Sequence, residues 1–402
     1  MAGEPVMRKS DVHNITSSTS EERGTGRAAT QKLIAARCGV SQMTVSRVLR
    51  GDTSISEETA SSILTVAREV GYDPMAHDAA RRLVLRRSGR KVANYLVALV
   101  LPQEGLQHAY YATMLQGAWQ TLTAAGYSIL LVNLPPANET SAPVELPISF
   151  RRGDVDGMLI LCADERVDAF FDNLHHLAVP IPQQVYLIKG PFDASVVHTD
   201  DRFGAYAATH HLLSLGHRHL LQFVSPGYQP MAGDAFDRRV QGIQRAFQEF
   251  ELDSHEYLHL MAYPAGWVAP ANRATDGQGP IEEAIRSYKQ MHRFVRYLKE
   301  HPEITAIMGV NDATAQHAWY TLSRTGYTLP NDYSIVGFDD TDPVPDIRGN
   351  NLLTTVRLPL AEVGRNAARL LLRLLTDGEA DQSLNVLPAE LVIRSSTAPP
   401  AR

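Results

Sequence analysis

Short apolar runs alternate with helical stretches from Val92 to the C-terminus, and this alternation constrains the possible folds more than any other feature. The run Tyr95–Leu101 contains no charged residue and ends at Pro102, as expected of a strand buried on both faces. The next stretch, Met114–Ala125, has helical character and ends at Gly126. Repeated strand and helix units predict a parallel sheet with helices on both faces.

The same alternation continues through the rest of this region. We predict strands at Ser128–Leu134, Gly157–Cys162, Ser195–Thr199, Leu220–Val224, Ala306–Val310 and Ser334–Phe338, and helices at Gly204–Leu215, Arg239–Phe250, Met291–Glu300 and Asp312–Arg324. So many strands exceed what one open sheet comfortably holds, so we expect two lobes, each a doubly wound parallel sheet. The stretch Tyr263–Pro280 is rich in Pro, Gly and Ala, which predicts an inserted loop.

The segment between Thr30 and Tyr72 has the pattern of three short helices. Gly39 can end the first helix, Ser41 can cap the N-terminus of the second, and Ser56 can cap the third. Helices of this length can share one small core, so we expect an all-α domain. The apolar residues predicted to face that core are Leu33, Ile34, Ala36, Val45, Val48, Leu49, Ala60, Ile63, Leu64, Ala67 and Val70.

The first two of these helices have the features of a helix-turn-helix. Ala35 is small enough for close helix approach, and Gly39 allows the left-handed backbone of a tight turn. The second helix is then expected to present Gln42, Met43 and Arg47 outward. Glutamine can pair with adenine, arginine with guanine, and methionine can touch the thymine methyl, so this helix is predicted to enter the major groove. The alternative is a structural three-helix domain whose arginine is merely solvated.

Charge is distributed unevenly along the chain. Basic residues outnumber acidic ones between Arg27 and Lys91, whereas the whole chain has a net charge of -6. A basic segment on an acidic protein favours a nucleic-acid contact confined to one end. A solvated charged face is the other interpretation. Residues 1–28 are polar and lack the apolar stretch of a secretory signal, so we expect a disordered arm there.

A longer pattern extends through this segment. It consists of Val40-Ser41-x-x-Thr44-Val45-Ser46-Arg47-Val48-Leu49-x-Gly51, then Ile55-Ser56-Glu57-Glu58-Thr59 and Gly71-Tyr72-x-Pro74. This pattern resembles the headpiece of the lac repressor (LacI–GalR) family. The resemblance implies that Gln42, Met43 and Arg47 occupy base-reading positions. The full set of expected DNA contacts is Thr30, Ser41, Gln42, Met43, Thr44, Ser46, Arg47, Arg81 and Leu83.

The resemblance also implies a hinge helix after Pro74. In the family, a leucine of this helix wedges into the minor groove, which unstacks a base step and bends the duplex. Here Ala80-Arg81-Arg82-Leu83 carries the hinge pattern, slightly further from Pro74 than is usual, and Leu83 is the candidate wedge. Alternatively, the linker arginines bind phosphates electrostatically without insertion.

Several short motifs after Val92 lie beside predicted strand ends or helix starts. They are His108-Ala109-Tyr110-Tyr111, Thr199-Asp200-Asp201, Arg239-Val240-Gln241-Gly242, Asn311-Asp312 and Gly337-Phe338-Asp339-Asp340. In this order they resemble the core of the same family, which is similar to type I periplasmic sugar-binding proteins. The resemblance omits the residues between Phe250 and Met291.

The effector of such a fold lies between the lobes, where loops leave the carboxyl ends of the strands. The residues expected to contact it are Tyr110, Tyr111, Asp200, Arg239, Asn311 and Asp339. An aspartate after a strand is more often a helix cap, and Asp312 is a candidate for that role alone. We expect Arg239→Ala and Asp339→Ala to lose the effector response and to keep operator binding.

The fold class expected overall is an N-terminal all-α helix-turn-helix headpiece joined to an α/β core of two doubly wound parallel-sheet lobes. The predicted boundaries are a disordered arm at 1–28, a DNA-binding domain at 29–73, a hinge at 74–91 and the two-lobed domain at 92–402, with lobe 1 at 92–199 and 357–379 and lobe 2 at 200–356 and 380–402. A single headpiece makes few base contacts, so we expect a homodimer on double-stranded operator DNA.

The motifs of common enzymes are missing from the sequence. It has no Walker-type loop, no Gly-x-Ser-x-Gly elbow and no His-Glu-x-x-His, so we expect no catalytic residues and no cofactor. No apolar run approaches the roughly 20 residues of a membrane helix. Two alternatives stay open: a secreted sugar-binding protein, and a regulator without a small-molecule effector.

Four histidines are candidate metal ligands, and two cysteines are candidate disulfide partners. His210, His211, His217 and His219 are close in sequence, but Gly216-His217-Arg218 matches a helix-to-strand turn of the family and no thiolate lies near, so we expect no metal site. The two cysteines, Cys38 and Cys162, are far apart in sequence and are not expected to form a disulfide. The lack of a disulfide framework favours a reducing cytoplasm, so we expect a cytoplasmic, nucleoid-associated protein.

Overall fold

The structure is a computed structural model whose described residues form two compact units, Met1–Val92 and Ala93–Arg402. The described residues are 31–49, 55–70, 72, 94–102, 105–106, 108–135, 146–161, 165–179, 181–190, 194–224, 234–263, 292–377 and 385–401. The predicted arm and hinge lie outside them.

The first unit contains three helices, α1 (Gln31–Cys38), α2 (Gln42–Val48) and α3 (Glu57–Glu69). As predicted, Gly39 follows α1 with a φ of 64°. Ser41 caps α2, where its Oγ accepts a hydrogen bond from the Thr44 amide at 3.0 Å. The small core that the helices share consists of Ile34, Ala35, Val45, Val48, Ile63, Ala67 and Tyr72.

Two residues predicted to face this core are exposed. Ala36 lies on the solvent side of α1, and Leu64 is 40 % exposed on α3. Each helical residue turns the side chain by about 100°. The apolar stripe therefore passes through Ile34 and Ala35 on α1 and through Ile63 and Ala67 on α3, which leaves Ala36 and Leu64 outside.

The second unit alternates strands and helices throughout. Its strands are β1 (Leu96–Pro102), β2 (Ser128–Leu134), β3 (Gly157–Ile160), β4 (Gln183–Leu187), β5 (Val196–Thr199), β6 (His219–Val224), β7 (Leu258–Ala262), β8 (Ile304–Met308), β9 (Ser334–Asp339), β10 (Thr354–Arg357), β11 (Asn385–Leu387) and β12 (Glu390–Val392). Its helices are α4 (Ala109–Ala124), α5 (Ile148–Arg151), α6 (Glu165–His176), α7 (Asp201–Ser214), α8 (Ala235–Glu249), α9 (Ser254–Tyr257), α10 (292–300), α11 (Asp312–Arg324) and α12 (Leu360–Asp377).

These strands form two six-stranded sheets, which confirms the expected fold class. The first sheet has the order β11-β5-β4-β3-β1-β2, and the second has the order β12-β10-β9-β8-β6-β7. All pairings are parallel except that of β10 with β12. Parallel neighbours need crossover connections, and several of these are helices that cover a sheet face, such as α4 between β1 and β2 and α11 between β8 and β9.

One predicted lobe boundary needs correction. The sequence predicts that residues 380–402 belong to lobe 2, but Asn385–Leu387 pairs with β5 in the first sheet. The chain enters this sheet from α12, which packs on β3, β4 and β5, and only then crosses to β12 in the second sheet. The remaining predicted boundaries stay predictions.

Strand β1 shows why an apolar run identified the first sheet. Each residue from Val97 to Leu101 is at most 2 % exposed. Val97 and Leu99 pack into one core cluster, whereas Ala98 and Val100 pack into another on the opposite face. Burial on both faces removes the polar alternation of a half-buried strand.

The sequence pattern missed several elements. They include strands β4 and β7 and helices α6 and α12. β4 begins with two glutamines, so its apolar run is too short to stand out. β7 is a five-residue edge strand of the second sheet whose apolar run is interrupted by His259, so it is too short to stand out as a buried strand.

Helices α4 and α12 touch through their backbones. A Cβ atom at Gly117 would overlap the carbonyl oxygen of Ala361, and one at Gly364 would overlap the carbonyl oxygen of Met114. The two glycines therefore permit an approach that no larger residue allows, and they hold α4 on the first sheet. Tyr110, near the start of α4, depends on this placement.

We expect Gly364→Val to destabilise the protein by at least about 3 kcal/mol, because the helices must separate and lose buried contacts. Urea unfolding of the full chain measures this. The control is Arg373→Val, at an exposed position of the same helix, where only helix propensity changes. Equal stability of the two variants would refute the backbone contact.

Candidate functional site

The predicted base-reading residues lie on one exposed face of α2. Gln42 and Arg47 are exposed, and Met43 is 72 % exposed. The opposite face carries Val45 and Val48, both buried in the core of the first unit. The side chain of Met43 is therefore accessible to a partner surface such as a DNA groove.

The other predicted DNA contacts divide into two groups. Ser41 is exposed, while Thr44 and Ser46 are half-buried, so all three are partly accessible. The Ser41 hydroxyl also hydrogen-bonds the Thr44 hydroxyl at 2.8 Å, which ties both side chains to the helix start. Three further predicted contacts, Thr30, Arg81 and Leu83, lie outside the described residues.

In the second unit, a buried ion-pair cluster lies at the carboxyl ends of the strands. The Nε of Arg239 on α8 donates to Asp201 at 2.9 Å, and its Nη2 lies 3.5 Å from Asp339. Arg239 also donates from Nη1 to the Val310 carbonyl at 2.6 Å. Asp201 starts α7 and Asp339 ends β9, so three distant segments meet at one guanidinium.

Aromatic and backbone contacts complete the surroundings of this cluster. The guanidinium of Arg239 stacks 3.6 Å from the ring centre of Phe338. The adjacent Arg238 donates to Asp201 at 3.2 Å and to the Ile188 carbonyl at 3.4 Å. Ile188 follows β4 of the first sheet, so Arg238 links the two sheets.

Burial shifts the proton affinities in this cluster. Desolvation raises the pKa of Asp339 from 3.8 to about 7, although the guanidinium of Arg239 lowers it. Burial, followed by the charges of Asp339 and Asp201, raises the pKa of the Tyr110 hydroxyl well above 10.0. Tyr110 forms an edge-to-face pair with Tyr111, with ring centres 5.3 Å apart. The phenol of Tyr110 therefore stays protonated and can donate into the cluster.

Two predicted effector contacts serve as helix caps. Asp200 accepts from the Phe203 amide at 3.0 Å and caps α7. Asn311 accepts from the Thr314 amide at 2.9 Å and caps α11 in a capping box. Asp201, one residue after the cap, is the carboxylate that meets Arg239.

Sequence reasoning selected neither Asp201 nor Arg238. The only available signal was the double acid Asp200-Asp201 after a strand: the first acid caps the helix, so the second can turn inward. The prediction that Asp312 only caps its helix is wrong. Its side chain is fully buried and accepts hydrogen bonds from the Thr341 amide and the Thr355 hydroxyl.

Gly242 places α8 against α7. A Cβ atom at Gly242 would overlap the carbonyl oxygen of Arg202, so the two helices touch through their backbones. Arg239 lies about one turn earlier on α8, on the same side. This close approach brings its guanidinium to Asp201 at the start of α7.

The four neighbouring histidines do not converge. His217 is buried and contacts Thr305, Ser334 and the Ala398 carbonyl, while His211 contacts Thr397. His210 contacts Ser214. His219 instead meets His259 on the neighbouring strand.

No helix in the described part of the chain is both long and apolar enough to cross a membrane.

Residues 31–75 match the family described as bacterial regulatory proteins, lacI family. Residues 209–397 match the periplasmic binding protein-like domain.

Curated relatives match over nearly their whole length. The HTH-type transcriptional regulator reg1 of Streptomyces lividans is 29 % identical over 379 residues, which cover 91 % of this chain and 95 % of that protein. The HTH-type transcriptional repressor PurR of Vibrio vulnificus is 25 % identical over 372 residues, covering 92 % of this chain and 98 % of PurR.

A solved structure shows the same fold. The LacI family transcriptional regulator from Enterococcus faecium with bound ribose has a TM-score of 0.57 and 24 % identity, covering 76 % of this chain and 99 % of that one. The sequence match to the helix-turn-helix, the two parallel-sheet lobes and the full-length relatives agree. The chain carries the DNA-binding domain of the lacI family of bacterial regulatory proteins together with a periplasmic binding protein-like domain, and it is a DNA-binding transcriptional regulator.

Proposed function

We propose that the chain is a homodimeric repressor that reads a pseudo-palindromic operator with the exposed face of α2. Gln42, Met43 and Arg47 contact base edges, and Ser41, Thr44 and Ser46 contact the backbone. Two headpieces double the base contacts, which a single three-helix unit is too small to supply. The protein acts in the cytoplasm, where the operator is. The relative PurR, named a repressor, supports this sign of regulation.

We expect Arg47→Ala to weaken operator binding by about 1–3 kcal/mol and to relax the preference at one base pair of each half-site. Selection from random duplexes identifies the operator, and fluorescence anisotropy at fixed salt measures affinity. The control is Arg68→Ala, which removes the same charge from an exposed position on α3. If both variants lose equal affinity for operator and random DNA, Arg47 acts only through charge.

We further propose that a small sugar-like effector binds between the two lobes of the second unit and changes operator affinity. The observation that carries this is the convergence of Arg239, Asp201, Asp339 and Tyr110 at the carboxyl ends of strands from both sheets. Carboxylates and a guanidinium suit bidentate bonds to vicinal hydroxyls, and tyrosine rings suit the C–H face of a sugar. The Enterococcus faecium neighbour with bound ribose supports this class of effector.

The pocket beside Arg239 is lined by the second sheet and its helices and has a volume of about 40 Å³, against roughly 300–1,000 Å³ for typical ligand sites. This pocket alone is too small for a sugar, so the proposed site needs the space between the two lobes. Opening and closing of two lobes around a ligand is a common switching motion in proteins. The effector can change operator affinity only as far as its own affinity differs between the open and the closed arrangement of the lobes.

A thermal-shift screen of the full chain against monosaccharides and disaccharides, followed by operator-release assays on the hits, tests this proposal. We expect at least one sugar to raise the Tm and to change operator affinity. A second candidate, a regulator without a small-molecule effector, is favoured by the engagement of Arg239 with protein groups. Failure of all sugars to alter either quantity would support that candidate.

A further inference from the structure

A cluster of imidazole and carboxylate groups lies at the amino ends of the strands of the second sheet, whereas Arg239 lies at their carboxyl ends. His219 is the first residue of β6, His259 is the second residue of β7, and Glu303 immediately precedes β8. These three strands are neighbours in the order β8-β6-β7 and run parallel, so their amino ends meet.

The three side chains of this cluster are close enough for one metal ion to reach all of them after a movement of the carboxylate. His219 Nδ1 lies 3.3 Å from His259 Nε2, and His259 Nε2 lies 4.0 Å from Glu303 Oε1. One ligand atom from each residue fits within 4.8 Å of the others. Ligands about 2.0–2.1 Å from a tetrahedral ion lie about 3.3 Å apart, so a small inward movement of the carboxylate completes three ligands.

Two neighbouring side chains are placed to orient these groups. The Tyr297 hydroxyl lies 3.4 Å from His259 Nδ1, and His301 Nδ1 lies 2.9 Å from Glu303 Oε1. In metal sites the second nitrogen of a ligating histidine and the ligating carboxylate are held by such hydrogen bonds. The side chain of Glu303 is 37 % exposed, which leaves a path from solvent.

We propose that His219, His259 and Glu303 bind one divalent transition-metal ion of the zinc class, with water as the fourth ligand. Two imidazoles and one carboxylate suit zinc better than magnesium or calcium, which prefer oxygen ligands. The ion joins three strands, including the edge strand β7, and so stabilises this end of the second sheet. The site is separate from the proposed effector cleft.

The test uses the untagged full chain, stripped of metal with a chelator and titrated with Co²⁺ as a spectroscopic probe and then with Zn²⁺. We expect one Co²⁺ per chain with the visible absorption of a tetrahedral site, its displacement by Zn²⁺, and a rise in Tm with Zn²⁺. Glu303→Gln and His259→Ala should each weaken binding at least tenfold.

His255→Ala is the matched control, because His255 is exposed on α9 outside the cluster and should leave binding unchanged. Glu303→Gln changes a partly exposed side chain and keeps its size, so the test does not depend on whether His259→Ala folds. Absence of stoichiometric Co²⁺ binding, or equal binding by wild type and Glu303→Gln, would overturn the proposal. It would leave a hydrogen-bonded histidine pair without metal.

Discussion

Arg239→Met should reduce the free energy of unfolding by about 3–5 kcal/mol at pH 8 and abolish the effector response. The guanidinium neutralises the carboxylates of Asp201 and Asp339, both less than 10 % exposed. Removing one partner of a buried ion pair leaves uncompensated charge, which is strongly destabilising. Arg238 still pairs with Asp201, so Asp339 is the carboxylate left without its partner. At pH 8 Asp339 can take up a proton at a cost of about 1.4 kcal/mol, and the rest of the loss comes from the hydrogen bond to the Val310 carbonyl and the stacking on Phe338.

Urea unfolding monitored by fluorescence and circular dichroism measures this loss. Arg245→Met is the control on the same helix, because Arg245 is 62 % exposed and its pair with Glu249 lies at the surface. That pair is worth at most about 1 kcal/mol. Operator binding should survive in both variants, since the base-reading residues belong to the other unit. A cost below about 1 kcal/mol for Arg239→Met would contradict the buried cluster.

Asp339 should make the protein less stable as pH rises from about 4 to about 7. Its pKa is raised from 3.8 to about 7 in the folded protein, mainly by burial. Between these values the folded state holds a proton that the unfolded state has released, so the free energy of unfolding falls with increasing pH. Each pKa unit corresponds to about 1.4 kcal/mol, which sets an upper limit of about 4 kcal/mol for the whole interval.

The variant Asp339→Asn removes this titration and isolates its effect. Asparagine suits the position because Asp339 has a φ of 99°, and asparagine tolerates positive φ better than most residues. The stability of Asp339→Asn relative to wild type should therefore rise by several kcal/mol from pH 4.5 to pH 7.5. Comparing the two proteins cancels the contributions of the buried histidines.

Glu251→Gln provides the control for this pH series. Glu251 also has a positive φ, of 57°, but its side chain is exposed. The free energy of unfolding of Glu251→Gln relative to wild type should change much less between pH 4.5 and pH 7.5. If the difference in free energy of unfolding between Asp339→Asn and wild type does not depend on pH, the Asp339 carboxyl has the same pKa in the folded and unfolded states.

Local features of this fold were predictable from sequence. Gly39 and Ser41 end and begin helices because their effects depend on the adjacent backbone alone. The run Val97–Leu101 identified a buried strand because burial on both faces leaves a continuous apolar pattern. Met43 and Arg47 share the exposed face of α2 because helical geometry fixes that relation.

The site itself depended on tertiary structure. Arg239 was foreseen, but which of Asp200 and Asp201 meets it was decided by which one caps α7. The meeting of His219 with His259 and Glu303 follows from strand order, which no local pattern encodes. The sequence by itself determined most helices and strands and the exposed face of α2, because these features depend on residues that are close together in the chain. Only the packing of distant segments decided which charged groups lie together, because burial and pairing depend on contacts across the fold.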